Sequence, residues 1–313
     1  MKIGIATFLF SDMPLEKMLK HVSDLGYEAV EIQTKDYSDF DNWRPGPHLD
    51  MDRVLSGGAA EYKRLAQKYG LMISALGEHE RWQLGPNKEK QRRSNRYFRK
   101  AIQTAHALDV PVVVGFTGCP DWSAWFSWPS TNIEKWEEGW KEFRHVWGEN
   151  ADFAAKHDVK IAIEVHPQNM AYNLETAVRM NKEVPSKALG INFDPCEYVW
   201  QRIDPVVAIH THGSRIYHCH SKDIEVNEPY LAKSGITSTG TWDRIDRGFT
   251  YRCVGWGDMN WKKMITAFLQ VKYDYVLSYE HEDPVMSPED GAEKAIQFLR
   301  PLIIKRPIKK IWW

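Results

Sequence analysis

The chain has 313 residues, 43% hydrophobic and 27% charged, a balance that supplies a sizeable core for one large domain or two small ones. Its formal net charge of −1 argues against a nucleic-acid groove or an anionic membrane surface as partner, and no apolar run approaches the roughly 18 residues of a spanning helix. Four scattered cysteines without CxxC spacing read as free thiols, which points to a reducing, cytoplasmic setting.

In chain order, one unit recurs: a helical pattern, a tight small or polar turn, and a short apolar strand. KIGIATF (2–7) opens the series, since MKIGIATFLF has no charged leader, long apolar stretch or small-residue cleavage site. LGYEAVEI (25–32), YGLMISAL (69–76), LDVPVVVGF (108–116) and HDVKIAIEV (157–165) follow. SKALGINFD (186–194), GSRIYHCH (213–220) and YDYVLSYE (273–280) complete eight strands. Strands alternating with helices predict a parallel sheet, and eight of them predict a single-domain α/β fold, the closed (β/α)₈ TIM barrel, over 1–303.

Entries to the strands are tight and several exits are long: Gln33 to Asp52, Glu78 to Asn87, Thr117 to Asn132 and Asp223 to Asn260. That asymmetry places the elaborated face at the C-terminal strand ends, where barrel enzymes carry their chemistry. The 223–260 stretch reads as a long loop, either a lid or subunit contact or a plain surface insertion. Trp136, Trp140, Phe143 and Trp147 fall at helical spacing and predict a packing stripe on a helix over about 132–156. Ser287-Pro288-Glu289-Asp290 predicts a capped helix start. RPIKKIWW (306–313) lies in a basic, aromatic tail taken to span 304–313.

Four strands end in groups that packing would not choose. The fifth carries Glu164 and His166, the sixth Asp194 and then Glu197. The seventh carries His218 and His220 before Lys222 and Asp223, and the eighth Glu280 and Glu282. Alternation sets Glu164 with His166, His218 with His220, and Glu280 with Glu282 on one face, while Ile163, Val165, Phe193 and Tyr279 take the other. Carboxylates converging at a barrel mouth repel one another unless a counter-charge is present. A divalent cation supplies one; an ion-pair network built on Lys222 and nearby arginines is the alternative. A shell of carboxylates and one imidazole favours Mn²⁺, with Mg²⁺, Co²⁺ or Zn²⁺ as alternatives.

These residues carry a resemblance. IAIEVHP, INFDP, HCHSKD and LSYEHEDPVMSPEDG look like the xylose-isomerase-like TIM-barrel family of sugar isomerases and epimerases, a likeness that runs from KIGIATF to AIQFLRPLI. VWQRIDPVVAI and YRCVGWGDMNW resemble one bacterial subgroup, mostly called sugar phosphate isomerase/epimerase. The resemblance implies a metal held by Glu164, Asp194, His220 and Glu280, with His218 as fallback for His220, which heads the His-x-Lys-Asp pattern. It also implies Glu164 and Glu280 as the catalytic pair, one removing a proton alpha to a carbonyl and the other returning it through an enediolate. His166, Glu197 and His79 are candidate substrate-binding residues. Trp82, Trp122, Trp125 and Trp128 lie on the third and fourth strand exits, and Trp122 is the aromatic taken to bind substrate.

Departures narrow the substrate. Relatives often have His where Glu197 stands. Ketohexose epimerases of this kind carry a glutamate where Met170 stands and an arginine where Val226 stands, so a free-ketohexose 3-epimerase is disfavoured. The leading expectation is a metal-dependent isomerase or epimerase of a sugar or keto-sugar. The second is a lyase cleaving 3-oxo-glycosides, as alpha subunits of C-glycoside deglycosidases do. A non-catalytic metal-binding subunit is the third. An endonuclease resembling the family's DNA-repair branch needs more metal ligands and a basic groove than this chain shows. Expected partners are a small sugar or glycoside and either a second copy of the chain or a small partner subunit, with no nucleic acid and no membrane.

Overall fold

Each short run rich in Val and Ile is long enough for a strand and too short for a helix, and the amphipathic segment behind it carries the chain back to the next strand start. The computed structural model describes residues 1–36, 46–308 and 310. Its strands are β1 (Lys2–Ala6), β2 (Ala29–Gln33), β3 (Met72–Glu78), β4 (Val112–Gly115), β5 (Lys160–Glu164), β6 (Leu189–Phe193), β7 (Ile216–Ser221), β8 (Asp223–Val226), β9 (Phe249–Arg252) and β10 (Val276–Tyr279). Eight of them close a barrel in the order β1-β10-β7-β6-β5-β4-β3-β2, every neighbour parallel. The expected (β/α)₈ barrel is what the chain forms.

Strand parity follows the alternation. Ile161, Ile163 and Val165 pack outward into the large core shared with the helices, whereas Ala75, Val112, Val114 and Ala162 form a small cluster with Tyr217 and Tyr275. Above that cluster the interior turns polar, with Glu31, Ser74, Asn192, His218 and Ser278 all buried. The helix Thr131–Lys156 presents Trp140, Phe143 and Trp147, fully buried, as the expected packing stripe, and Trp147 Nε1 donates to the Thr117 carbonyl at 3.0 Å. The helix Pro288–Leu299 starts as predicted, with Ser287 accepting from the Asp290 amide at 3.2 Å.

The 223–260 stretch, a long loop in the sequence reading, contains regular elements. β8 and β9 pair antiparallel as a ribbon, and a helix spans Glu228–Ser234. Asp223 ties its base down: the carboxylate accepts from the amides of Ile224 (2.9 Å), Gly255 (2.9 Å) and Met259 (3.2 Å) and from Trp261 Nε1 (3.1 Å). A side chain at Gly257 would run into it, since a Cβ there would sit 2.3 Å from Asp223 Oδ1. The Gln33–Asp52 exit contains residues 37–45, which lie outside the described residues. Of the tail, Ile304, Pro307 and Ile308 line a groove with Met1 and Ile3 on the strand-entry face, and 309 and 311–313 lie outside the described residues. Among the described residues no helix is long and apolar enough to cross a membrane.

Candidate active site and metal centre

Glu164 ends β5, Asp194 follows β6, His220 lies within β7 and Glu280 follows β10, so four strand ends bring them to one place. One donor atom from each lies within 4.8 Å of all the others, and all four residues are buried. His220 Nδ1 sits 3.1 Å from Glu164 Oε2 and 3.2 Å from Glu280 Oε2. On its far side, Nε2 lies 3.1 Å from Glu31 Oε2. Ser278 Oγ donates to the same Glu31 oxygen at 3.0 Å.

A second chain of hydrogen bonds supports Glu164. Asn192 Nδ2 donates to Glu164 Oε2 at 3.1 Å, Asn192 Oδ1 lies 3.1 Å from His218 Nδ1, and His218 Nε2 lies 3.3 Å from Ser74 Oγ. His218 is thus committed below the cluster, whereas His220 is at its centre.

The donor set fits a divalent cation. Three carboxylates and one imidazole converge, and two of the donor atoms, Asp194 Oδ2 and His220 Nδ1, are buried with ion-pair contacts only, to Lys222 for the first and to Glu164 and Glu280 for the second, and without an aligned hydrogen bond. Glu31, hydrogen-bonded to Nε2, is the kind of partner that fixes the ring of a ligating histidine and turns the other nitrogen toward a metal.

The electrostatics respond to this crowding. Burial opposes charge on His220, yet Glu280, Glu31 and Glu164 around it hold its pKa well above the usual histidine range. Burial likewise works to raise Glu164 and Glu280, but His220 beside Glu164, and His220 with Lys222 beside Glu280, hold Glu164 well below the usual carboxylate range and Glu280 at about 2. Burial pushes Asp194 up to about 7 despite the nearby Lys222. Lys222 itself is held well above its ordinary value: burial works against its charge, but Asp194, Glu280 and Glu282 surround it.

The cluster opens into a cavity of about 430 Å³ at the strand-exit face. Glu164, Glu280, Glu282 and Lys222 form one wall, with His79, His166 and Phe116 beside them. The Phe116 ring is 4.7 Å from His166 and 5.0 Å from His79, centroid to centroid. His79 Nε2 is 3.5 Å from Glu164 Oε2, and its Nδ1 lies 3.2 Å from Gln33 Oε1. Gln33 reaches in across Gly77, where a Cβ would meet the end of its side chain at 2.2 Å, so a larger residue there would push Gln33 aside.

Residues 19–302 match the sequence profile of the xylose isomerase-like TIM barrel family. The chain belongs to that family. A curated relative, the uncharacterized protein YfiH of Bacillus subtilis (strain 168), is 28% identical over 320 residues, covering 97% of this chain and 99% of its own. Among solved structures, the IOLI protein with a binding zinc atom superposes with a TM-score of 0.71 at 18% identity, covering 97% of this chain and 98% of its own. The 3-keto-D-glucoside 4-epimerase YcjR from E. coli superposes with a TM-score of 0.69 at 14% identity, covering 96% and 99%. At such identities the superpositions carry the fold.

Within this xylose isomerase-like barrel, the structure brings together Glu164, Asp194, His220 and Glu280, and it sets His79 and His166 on the cavity wall. It does not bring Glu197 or Trp122 there. Glu197 is fully buried beside the ribbon, where Tyr251 OH donates to it at 2.7 Å and Trp200 Nε1 at 3.1 Å. Trp122 packs with Trp125 and Tyr172, at centroid distances of 5.9 and 5.0 Å. Met170, standing where ketohexose epimerases have glutamate, is buried with its sulfur 3.6 Å from Cys119.

Sequence reasoning passed over Glu31, Asn192, Ser74 and Ser278. One signal was present: in AVEIQ, Glu31 and Gln33 share a parity and interrupt an otherwise apolar strand.

Proposed function

We propose that the protein is a divalent-metal-dependent isomerase or epimerase of a sugar or keto-sugar that moves a proton at the carbon next to a carbonyl. The observation that carries this reading is the pairing of Glu164 and Glu280. They reach one cavity from strands separated by β6 and β7, with the His220 ring between them, 3.1 Å from Glu164 and 3.2 Å from Glu280.

Glu164, Asp194, His220 and Glu280 would hold the metal, with Mn²⁺ the first choice for so oxygen-rich a set. When bound, a divalent cation supplies Lewis-acid stabilisation of the negative charge that develops on a substrate oxygen. The chain's own groups do the rest. A carboxylate on one side of the cavity takes the C–H proton, and the carboxylate on the other side returns one. Return to the same carbon gives an epimer; return to the former carbonyl carbon, with the hydroxyl proton passing from one enediolate oxygen to the other, gives an isomer. Phe116 offers an apolar face to sugar C–H groups, and His79 and His166 flank it with hydrogen-bonding nitrogens.

The test is proton exchange. Manganese-loaded protein is incubated with panels of ketoses and 3-oxo-glycosides in D₂O and followed by NMR. Deuterium entering one carbon next to the carbonyl, and abolished by both Glu164→Gln and Glu280→Gln, is the expected result. Metal-loaded protein that exchanges no C–H across both panels contradicts it.

A second reading, elimination of an aglycone from a 3-oxo-glycoside, starts with the same proton transfer. It is favoured by the superposition on an enzyme named for a 3-keto-glucoside and by a cavity of about 430 Å³. Release of a phenol rather than formation of an epimer distinguishes it.

A further inference from the structure

Lys222 follows β7 and is buried, its side chain 3% exposed. Its ammonium lies 2.7 Å from Glu282 Oε2, 2.9 Å from Asp194 Oδ2 and 2.9 Å from Glu280 Oε2. Asp194 and Glu280 belong to the four-residue donor set; Glu282 does not, and its side chain is 44% exposed on the cavity wall. The Tyr251 ring of the ribbon lies 4.6 Å from Nζ. One flexible cation therefore bridges two carboxylates of the cluster and one carboxylate outside it.

A tethered ammonium and a divalent cation crowded onto the same two carboxylates repel each other at close range, so binding the one weakens the hold of the other. We propose that Lys222 is a built-in counter-ion for Asp194 and Glu280, that a divalent cation displaces it onto Glu282, and that this exchange sets the metal affinity of the site. The inference rests on the metal-dependent reading above. It assigns two residues outside the donor set, Lys222 as the displaced cation and Glu282 as the carboxylate that keeps it neutralised. The ion-pair network and the metal centre, alternatives at the level of sequence, become two states of one cluster.

The two residues then act on metal binding in opposite directions, and one depends on the other. Chelator-stripped full-length protein is titrated with Mn²⁺ in a calorimeter as wild type, Lys222→Met, Glu282→Gln and the double variant. Lys222→Met is expected to bind at least about tenfold more tightly, because no tethered charge has to leave. Glu282→Gln is expected to bind several-fold more weakly, because the displaced ammonium has no anion left outside the donor set. In the Lys222→Met background, Glu282→Gln should change affinity by less than about twofold, the non-additivity expected when one effect acts through the other. Thermal melts add a second readout: metal-free Lys222→Met should melt below metal-free wild type and gain more from Mn²⁺.

An equal Glu282→Gln effect in both backgrounds overturns the exchange, leaving only through-space charge. So does a Lys222→Met protein that binds no more tightly than wild type. Wild type that binds no Mn²⁺ overturns the metal-dependent reading itself. Lys222→Gln repeats the comparison if the Met variant lacks a cooperative melt.

Discussion

The two halves of the barrel give the same cavity different kinds of polar residue. From β5 onward, strand ends supply the groups that meet at the cluster: Glu164, Asp194, His220 and Glu280, with Lys222 and Glu282 beside them. From β1 to β4 come groups that hold or border the cluster: Glu31 behind His220, Ser74 beneath His218, and Gln33 against His79. The second half carries Glu164, Asp194 and Glu280 at strand tips; the first half carries Glu31 inside a strand, fully buried. Buried charge in both halves is tolerated because each group has a partner of opposite sign or an aligned donor.

The comparison can be broken from either side. The largest effect belongs to the second half. Glu280→Gln removes a donor and half of the proton-moving pair, so metal content should fall to background and exchange activity by about a thousandfold or more, as measured by elemental analysis and NMR. Next comes acid lability, which should also lie in the second half. Burial lowers His212 to about 4 from its ordinary 6.5, and its Nε2 lies 2.8 Å from Tyr198 OH. A depressed folded-state pKa contributes stability that is present above about 6.5 and lost as pH falls through about 4, worth up to about 3 kcal/mol. Denaturant titrations of metal-free protein across that window should show the loss, and His212→Gln should reduce it, leaving the share of His218, which burial also lowers to about 4.

A smaller effect belongs to the first half. Glu31→Gln leaves the donor set intact but loosens the His220 ring, so metal affinity should fall by about 10- to 100-fold while the melt stays cooperative. On the second half's side of the same contact, Ser278→Ala, which removes one donor to Glu31, should cost only a few-fold in the same titration, an effect of about 1 kcal/mol. If Glu31→Gln abolishes binding as fully as Glu280→Gln, the division of labour between the halves is wrong.

That division also explains what was legible in the sequence. The strands could be read because short apolar runs recur after helical patterns, and the cluster because four consecutive strand ends turn polar in the parity that faces the barrel mouth. The role of Glu31 could not be read: its partner His220 is 189 positions away, and a single acid in an apolar strand does not announce what it meets. Glu197 and Trp122 stand off the cavity wall for a related reason. Both lie near the mouth in sequence, but Glu197 is captured by Tyr251, 54 positions on, and Trp122 by an aromatic cluster of its own. The ribbon itself was hidden because β8 and β9 are four residues each, separated by a stretch rich in Gly, Thr and Asp that reads as loop.

The central claim is that these strand ends are a metal centre. The most direct measurement is metal stoichiometry of the purified, Mn²⁺-reconstituted protein, wild type beside Asp194→Asn, with unfolding checked in each. The account predicts close to one ion per chain in wild type and none in the variant, both folded. Folded wild type that retains no ion after reconstitution with Mn²⁺, Co²⁺, Mg²⁺ or Zn²⁺ would contradict it and leave the cluster as an ion-pair network centred on Lys222.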